Sequence, residues 1–413
     1  MSFASSLVAL IIAVTGIRLF LSIRQIRHVQ ALRSEVPARF AERITPEAHA
    51  RAASYTVAKA RLNLVTLVLE AALALFFTVG GGLQIVSQQI DSLVDAPLLR
   101  GLLLFAGVSL IGTCAELPLA LYRTFGVEAR FGFNRITPTL FVQDRLRDTA
   151  LAVLVGGPLI AGVLWMMGAL GAMWWVWTWL AWMVFNIVVL AIYPNWIAPL
   201  FNKFTPLGDE HLRTRIETLM RQCGFSASGL FVMDGSRRSA HGNAYFTGFG
   251  QSKRVVFFDT LLERLAGEEI EAVLAHELGH FARRHVLKRI ALMFASSLLV
   301  LAALGAVGND PALRLALGIP ASTAALLLYF SFSVPYLLFP LQPLMSAWSR
   351  QHEFEADAYA AQYANPSFLV SALVKLYEDN ASTLTPDPWH SAIYDSHPPA
   401  LVRIGRLDRL IHA

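Results

Sequence analysis

From Ile290 to Val307 the chain reads IALMFASSLLVLAALGAV, and from Ile319 to Met345 it reads IPASTAALLLYFSFSVPYLLFPLQPLM. Neither run holds a charged residue, and about 20 mostly apolar residues suffice for a helix to cross a bilayer core. Two such helices joined by a short segment form an antiparallel hairpin. The segments at its two outer ends must therefore meet at one membrane face. On the N-terminal side lies His276-Glu277-Leu278-Gly279-His280, and on the C-terminal side Ser349-Arg-Gln-His-Glu-Phe-Glu-Ala-Asp-Ala358.

Five more spans are expected upstream: Phe3–Ile23, Leu62–Val86, Leu98–Leu121, and two within Thr149–Phe201 that turn near Gly168-Ala-Leu-Gly171. The composition agrees, with 55% of residues apolar and only 15% charged, far from the one-quarter charged of ordinary soluble chains. Disorder, collagen-like repeats and a disulfide scaffold are excluded. The two cysteines, Cys114 and Cys223, cannot make a framework. The first span has no basic segment before it and no small-residue cleavage site after it, so it reads as a retained anchor.

The net charge of +5 matters less than where the charges fall. Arg24, Arg27, Arg33, Arg39, Arg43, Arg51, Lys59 and Arg61 crowd the first loop, and Arg123, Arg130, Arg135, Arg145 and Arg147 the third. The second and sixth loops carry Asp91, Asp95 and Asp310 with few cations. The positive-inside rule then puts the N-terminus outside and the C-terminus in the cytoplasm, the parity that seven spans require. Among the polar residues within the spans, Arg18 reads as snorkelling to the interface. Glu70, Glu116 and Asn186 face partners or water, because isolated charges in lipid are costly.

This yields four parts: residues 1–201 with five spans and basic loops, 202–288 as a soluble part, 289–345 as spans six and seven, and 346–413 as a helical C-terminal part. Within the soluble part, Glu210–Cys223 and Gly267–His285 read as helices. Gly229–Asp234, Asn243–Thr247 and Arg254–Asp259 read as short strands from their β-branched and aromatic content.

Histidines at i and i+4 share one helical face and can hold one metal ion, with Glu277 beside them as a general base. A catalytic zinc needs a third protein ligand and one open position. His285 lies five residues after His280, where the metzincin pattern needs six and an intervening glycine. It reads as a polar residue at the helix–membrane boundary, the alternative being a supporting role behind a metal ligand. The hairpin points instead to Glu353 as third ligand, with Asp357 one turn on to orient a ligand histidine from behind. Glu355 is turned about 160° from Glu353 and reads as solvated, and His352 is a weak alternative ligand.

His276-Glu-Leu-Gly-His280 with Glu353-x-x-x-Asp357 resembles the gluzincin arrangement of the integral-membrane CAAX prenyl proteases of the a-factor-converting type. Phe131-Gly-Phe-Asn134, Asn243-Ala-Tyr-Phe246, Val255–Leu262 and Ser396-His-Pro398 extend the resemblance over most of the chain. It implies a polytopic α-helical membrane protein, with seven helices around a chamber and a small α+β zinc-protease domain. It further implies one Zn2+ per chain held by His276, His280 and Glu353, with Glu277 as catalytic base. His397 and Arg403 would donate to the oxyanion or to a substrate carboxylate. Asn243, Ala244, Tyr245 and Phe246 would form an edge strand to which an extended substrate adds.

The implied activity is removal of the C-terminal tripeptide of prenylated proteins, at the cytoplasmic side of a bacterial inner membrane or an ER membrane. General membrane-protein quality control is the alternative substrate range. The expected partners are a peptide or protein substrate, prenylated or not, and the lipid bilayer; no nucleic acid is expected, and no oligomeric state is legible. A zinc-stabilised transporter or adaptor is the rival from another class. A structural zinc is closed by four protein ligands and has no use for a base such as Glu277.

Overall fold

A computed structural model describes residues 3–225, 229–247 and 254–411. Among these, seven helical stretches are long and apolar enough to cross a membrane: Phe3–Ala31, Pro46–Thr78, Pro97–Glu128, Pro138–Ala169, Gly171–Leu200, His285–Asn309 and Thr323–Tyr363. The first half contains α1 (Phe3–Ala31), α2 (Pro46–Thr78), α3 (Gly82–Asp91), α4 (Pro97–Leu121), α5 (Pro138–Leu151), α6 (Gly157–Ala169) and α7 (Trp174–Ile192). The second expected span, Leu62–Val86, in fact starts earlier, at Pro46, and ends at Thr78. Gly80-Gly81-Gly82 interrupts it, with Gly81 at φ 77°, a left-handed turn that glycine adopts without strain. The chain resumes as the short α3.

The spans are unevenly covered by protein. Along α4 only Gly101, Leu104 and Val108 are buried. In the fourth and fifth spans only 6% of the most apolar window is buried, against 39% in the seventh. Hollows lie between the helices. One such hollow, about 600 Å³, is lined by Arg18, Glu70, Glu116, Tyr336 and Gln342 among others. Arg18 does not snorkel as expected: its guanidinium meets Glu70 at 3.0 Å, because that acceptor on α2 lies within its reach. Glu70 and Glu116 thus take the cavity-wall position. Asn186 donates to the Trp182 carbonyl at 2.7 Å.

The soluble part adds β1 (Phe204–Pro206), α8 (Glu210–Gln222), β2 (Gly229–Met233), β3 (Ala244–Thr247), β4 (Arg254–Phe258), the one-turn α9 (Asp259–Leu262) and α10 (Gly267–Ala282). The sheet order is β1-β2-β4-β3, with β2 parallel to β4 and β3 antiparallel to it. β1, three residues ending in Pro206, is too short to show as a pattern in the sequence. Leu212, Ile216 and Leu219 of α8, Val255 and Phe257 of β4, and Leu274 and Leu278 of α10 make one core. That core fixes α10 beneath the sheet.

The remainder is α11 (His285–Asn309), α12 (Pro311–Ala316), α13 (Thr323–Leu338), α14 (Gln342–Tyr363), α15 (Pro366–Asp379), α16 (Pro388–Tyr394) and α17 (Ala400–Ile411). The helix expected over Gly267–His285 ends early at Ala282, since Arg284 takes φ 57° and redirects the chain into α11. The run Ile319–Met345 is likewise not one helix. A 3-10 turn at Phe339–Leu341 joins α13 to α14, where Pro340 and Pro343 each lack a backbone donor. α14 then continues well past the apolar run and carries Glu353 to α10.

Candidate metal centre and active site

The close approach of α10 and α14 depends on Gly279. A Cβ there would lie 2.9 Å from Ala356 Cα and 3.1 Å from its carbonyl oxygen, so the helices touch backbone to backbone. This brings Glu353 between the two histidines one α10 turn apart. His276 Nε2 lies 3.2 Å from His280 Nε2. Glu353 Oε2 is 3.4 Å from His276 Nε2, and Oε1 is 3.4 Å from His280 Nε2. One ligand atom from each of the three residues fits within a 4.8 Å span.

The hydrogen bonds behind these atoms show what they can hold. His276 Nδ1 meets Asp357 Oδ1 at 2.9 Å, and an ionised carboxylate only accepts. In the neutral ring the His276 proton therefore sits on Nδ1, and Nε2 presents a lone pair. Glu353 Oε2 is buried and accepts no hydrogen bond, a costly state for a charged oxygen. Lone pairs of His276, His280 and Glu353 that converge on one point suit a cation, although an Arg403 terminal nitrogen also comes within 3.3 Å of His276 Nε2.

A proton competes with a metal for the His276 Nε2 lone pair. Burial and the Arg403 charge oppose a proton on His276, yet Asp357 and Glu353 outweigh them and lift its pKa to about 9. Those carboxylates thus demand positive charge at this point. His280 is pushed the other way, to about 3, by burial and by the neighbouring His276; it stays neutral and able to ligate. These residues fit a divalent metal with His2Glu donors.

Glu277 lies beside the ligands on the wall of a cleft of about 370 Å³, and burial pushes its carboxyl above the usual glutamate range. Asn243, Ala244, Tyr377, Asn380, His397 and Arg403 line the same cleft. β3 pairs with β4 along one side only, and no strand among the described residues covers its other edge. Tyr245 and Phe246 are not in the cleft lining. The Tyr245 hydroxyl approaches Met233 Sδ at 4.0 Å, and Phe246 packs on Phe281 with ring centroids 4.5 Å apart. His397 is exposed, and its Nε2 lies 3.5 Å from Glu353 Oε1. Arg403 is buried and forked onto Asp357, Nε to Oδ2 at 2.9 Å and a terminal nitrogen to Oδ1 at 2.7 Å. Its other terminal nitrogen is 3.7 Å from Glu353 Oε2.

Two sequence readings need correction. Glu355 is not simply solvated, and His285 is not merely a boundary residue: His285 Nε2 meets Glu355 Oε2 at 3.0 Å, and His285 Nδ1 meets His280 Nδ1 at 3.0 Å. The turn at Arg284 folds α11 back beside α14, so a side chain facing away from Glu353 still reaches the site's flank. His352 stacks on His285, with centroids 3.9 Å apart, and is not in the ligand cluster. Tyr377 and Asn380 carry no signal in the sequence; they stand at the end of α15 with no motif around them.

A polytopic helical bundle that seats a His-Glu-x-x-His helix against a glutamate from a second helix defines a membrane metallopeptidase. Residues 25–203 match the CAAX prenyl protease N-terminal family, described as five membrane helices, and residues 206–411 match peptidase family M48. The chain belongs to this family of membrane CAAX prenyl protease 1 homologues. It is 38% identical over 75% of its length to a CAAX prenyl protease 1 homolog of Arabidopsis thaliana, covering 74% of that protein. It is 35% identical over 74% of its length to CAAX prenyl protease 1 of Saccharomyces cerevisiae, covering 72%. The crystal structure of S. mikatae Ste24p superposes with a TM-score of 0.91 at 30% identity, covering 99% of each chain. The expected fold class and membrane metalloprotease activity stand on these matches.

Proposed function

We propose that the chain is a zinc endopeptidase that removes the C-terminal tripeptide of prenylated CAAX proteins, with one zinc held by His276, His280 and Glu353. The observation that carries this reading is the convergence of those lone pairs in a cleft that also holds Glu277 and the start of β3 at Ala244. When bound there, zinc supplies Lewis acidity that lowers the pKa of water and polarises a carbonyl.

The protein's own residues do the rest. An extended substrate adds to β3 beside Asn243 and Ala244 by backbone hydrogen bonds, which read chain shape rather than side chains. Glu277 accepts the proton of the attacking water and passes it to the leaving amine; its raised carboxyl pKa suits both directions of transfer. His397, exposed in the same cleft, donates to the developing oxyanion. Asp357 keeps the His276 proton on Nδ1, and Arg403 keeps Asp357 ionised and in place.

Relatives named CAAX prenyl protease 1 support the prenylated substrate. The basic first and third loops support a cytoplasmic active site. The boundaries at residues 201, 288 and 345 belong to the same reading, with one catalytic unit assembled from 202–288 and 346–413 across the 289–345 hairpin. The test is digestion of paired CAAX peptides, farnesylated and bare, with product masses mapped. Cleavage three residues from the C-terminus of the farnesylated peptide alone is expected. Equal, dispersed cleavage of both would favour general turnover.

A further inference from the structure

The two metal-facing histidines are backed differently. His276 is held directly by Asp357, whereas His280 has a second histidine behind it. His280 Nδ1 lies 3.0 Å from His285 Nδ1, and His285 Nε2 lies 3.0 Å from Glu355 Oε2. Gln351 Nε2 donates to the other Glu355 oxygen at 3.4 Å, one turn back on α14.

The direction of this chain is set by what each group can donate. An ionised carboxylate only accepts, so the His285 proton facing Glu355 sits on Nε2. The opposite tautomer would set a bare nitrogen against a carboxylate oxygen at 3.0 Å, two acceptors in contact on a ring that is 1% exposed. A neutral imidazole has one N–H, so His285 Nδ1 is bare and accepts. The hydrogen between the two Nδ1 atoms then belongs to His280. With its only N–H committed there, His280 is left with a bare Nε2, the atom that faces His276 and Glu353.

We infer that Glu355 and His285 are positioning residues that fix His280 in the tautomer able to bind the metal through Nε2. This rests on the metal reading above. The ring of His285 is held in plane by His352, stacked at 3.9 Å and 13°, which is itself backed by Trp348 at 4.4 Å. α14 therefore supplies the ligand Glu353 and the carboxylates behind both histidines: Asp357 directly to His276, and Glu355 through His285 to His280. Residues 353 and 355 lie on opposed sides of one helix, and the intervening histidine from α11 spans the difference.

The test uses the full-length protein in detergent, with Zn2+ affinity measured by competition with a chromophoric chelator and Co2+ substitution read by its visible spectrum. Glu355→Met, which removes the acceptor, should weaken zinc binding about 10-fold or more, the usual cost of losing a partner behind a ligand. It should also change the cobalt band. Glu355→Gln still offers an acceptor oxygen and should stay within about 3-fold of wild type with an unchanged band. His285→Phe should lose as much as Glu355→Met, and the double variant no more than His285→Phe alone.

The relay is overturned if folded Glu355→Met keeps wild-type zinc affinity, if Glu355→Gln is as weak as Glu355→Met, or if the two losses add. Should His285→Phe fail to fold, the two Glu355 variants decide by themselves. A wild-type protein that takes up no zinc would refute the metal reading and the relay together. Tight wild-type binding with an unaffected Glu355→Met would refute the relay alone.

Discussion

Arg403 allows two readings that one substitution separates. The family resemblance implies a donor to substrate, whereas its fork is engaged by Asp357 through two bonds, of 2.9 and 2.7 Å. Both side chains are nearly closed to solvent, 6% and 3% exposed. Arg403→Met removes the fork and leaves the Asp357 charge buried. Breaking a buried, hydrogen-bonded ion pair from one side costs about 3–5 kcal/mol. Asp357 keeps the His276 Nδ1–H, so the lower end applies: about 3 kcal/mol, roughly a hundredfold in the folding equilibrium. The loosened Asp357 should also let the His276 ring turn, weakening zinc about 10-fold or more. Denaturant unfolding in detergent and zinc competition measure the two losses. A variant that melts like wild type and holds zinc equally well, yet no longer cleaves peptide, would refute the reasoning and make Arg403 a substrate-binding group.

Three further outcomes are expected. Glu277→Gln should keep zinc affinity and lose roughly 100- to 10,000-fold in cleavage rate; a quenched peptide substrate with parallel metal analysis checks it, and unchanged turnover would exclude Glu277 as the base. Gly279→Ala should cost about 1–3 kcal/mol and weaken zinc, because the added Cβ meets the α14 backbone at Ala356; thermal melting and zinc content read both. Glu269 ties α10 to α15, accepting from the Ala266 N–H, Ser371 and Lys375, each at 2.7 Å. Burial works against its charge, but the Lys375, Ser371 and Ala266 donors prevail and hold its carboxyl below 4.5. The unfolded chain then binds the extra proton, so this stabilisation is complete above about pH 4.5 and disappears as pH falls through the lowered value. Melting temperatures from pH 6 to pH 3 should fall less steeply for Glu269→Gln than for wild type; parallel curves would contradict the assignment.

Much of the site is legible in the sequence because it depends on simple periodicities. Helical spacing puts His276 and His280 on one face, and two charge-free runs force the chain back to the same membrane side with Glu353. The strands at Gly229–Met233, Ala244–Thr247 and Arg254–Phe258 are visible in their β-branched and aromatic content. The features that escape depend on local backbone breaks. The left-handed Arg284 turns what reads as one helix into two, and only then does His285 reach His280. The role of Glu355 is hidden for the same reason, since a wheel drawn for α14 alone has no α11 beside it. Gly80-Gly81-Gly82 and the prolines after Leu338 likewise sit inside apolar runs whose hydropathy does not register a break. Arg18 reads as snorkelling from its depth alone, though its partner Glu70 stands on another helix.

The most direct measurement is the mass of the products that wild-type protein and Glu277→Ala release from one farnesylated CAAX peptide in the presence of zinc. The account predicts a single cut by wild type that frees the C-terminal tripeptide, abolished by Glu277→Ala although that variant still carries zinc. The same cut, at the same rate, by a zinc-loaded Glu277→Ala protein would contradict it.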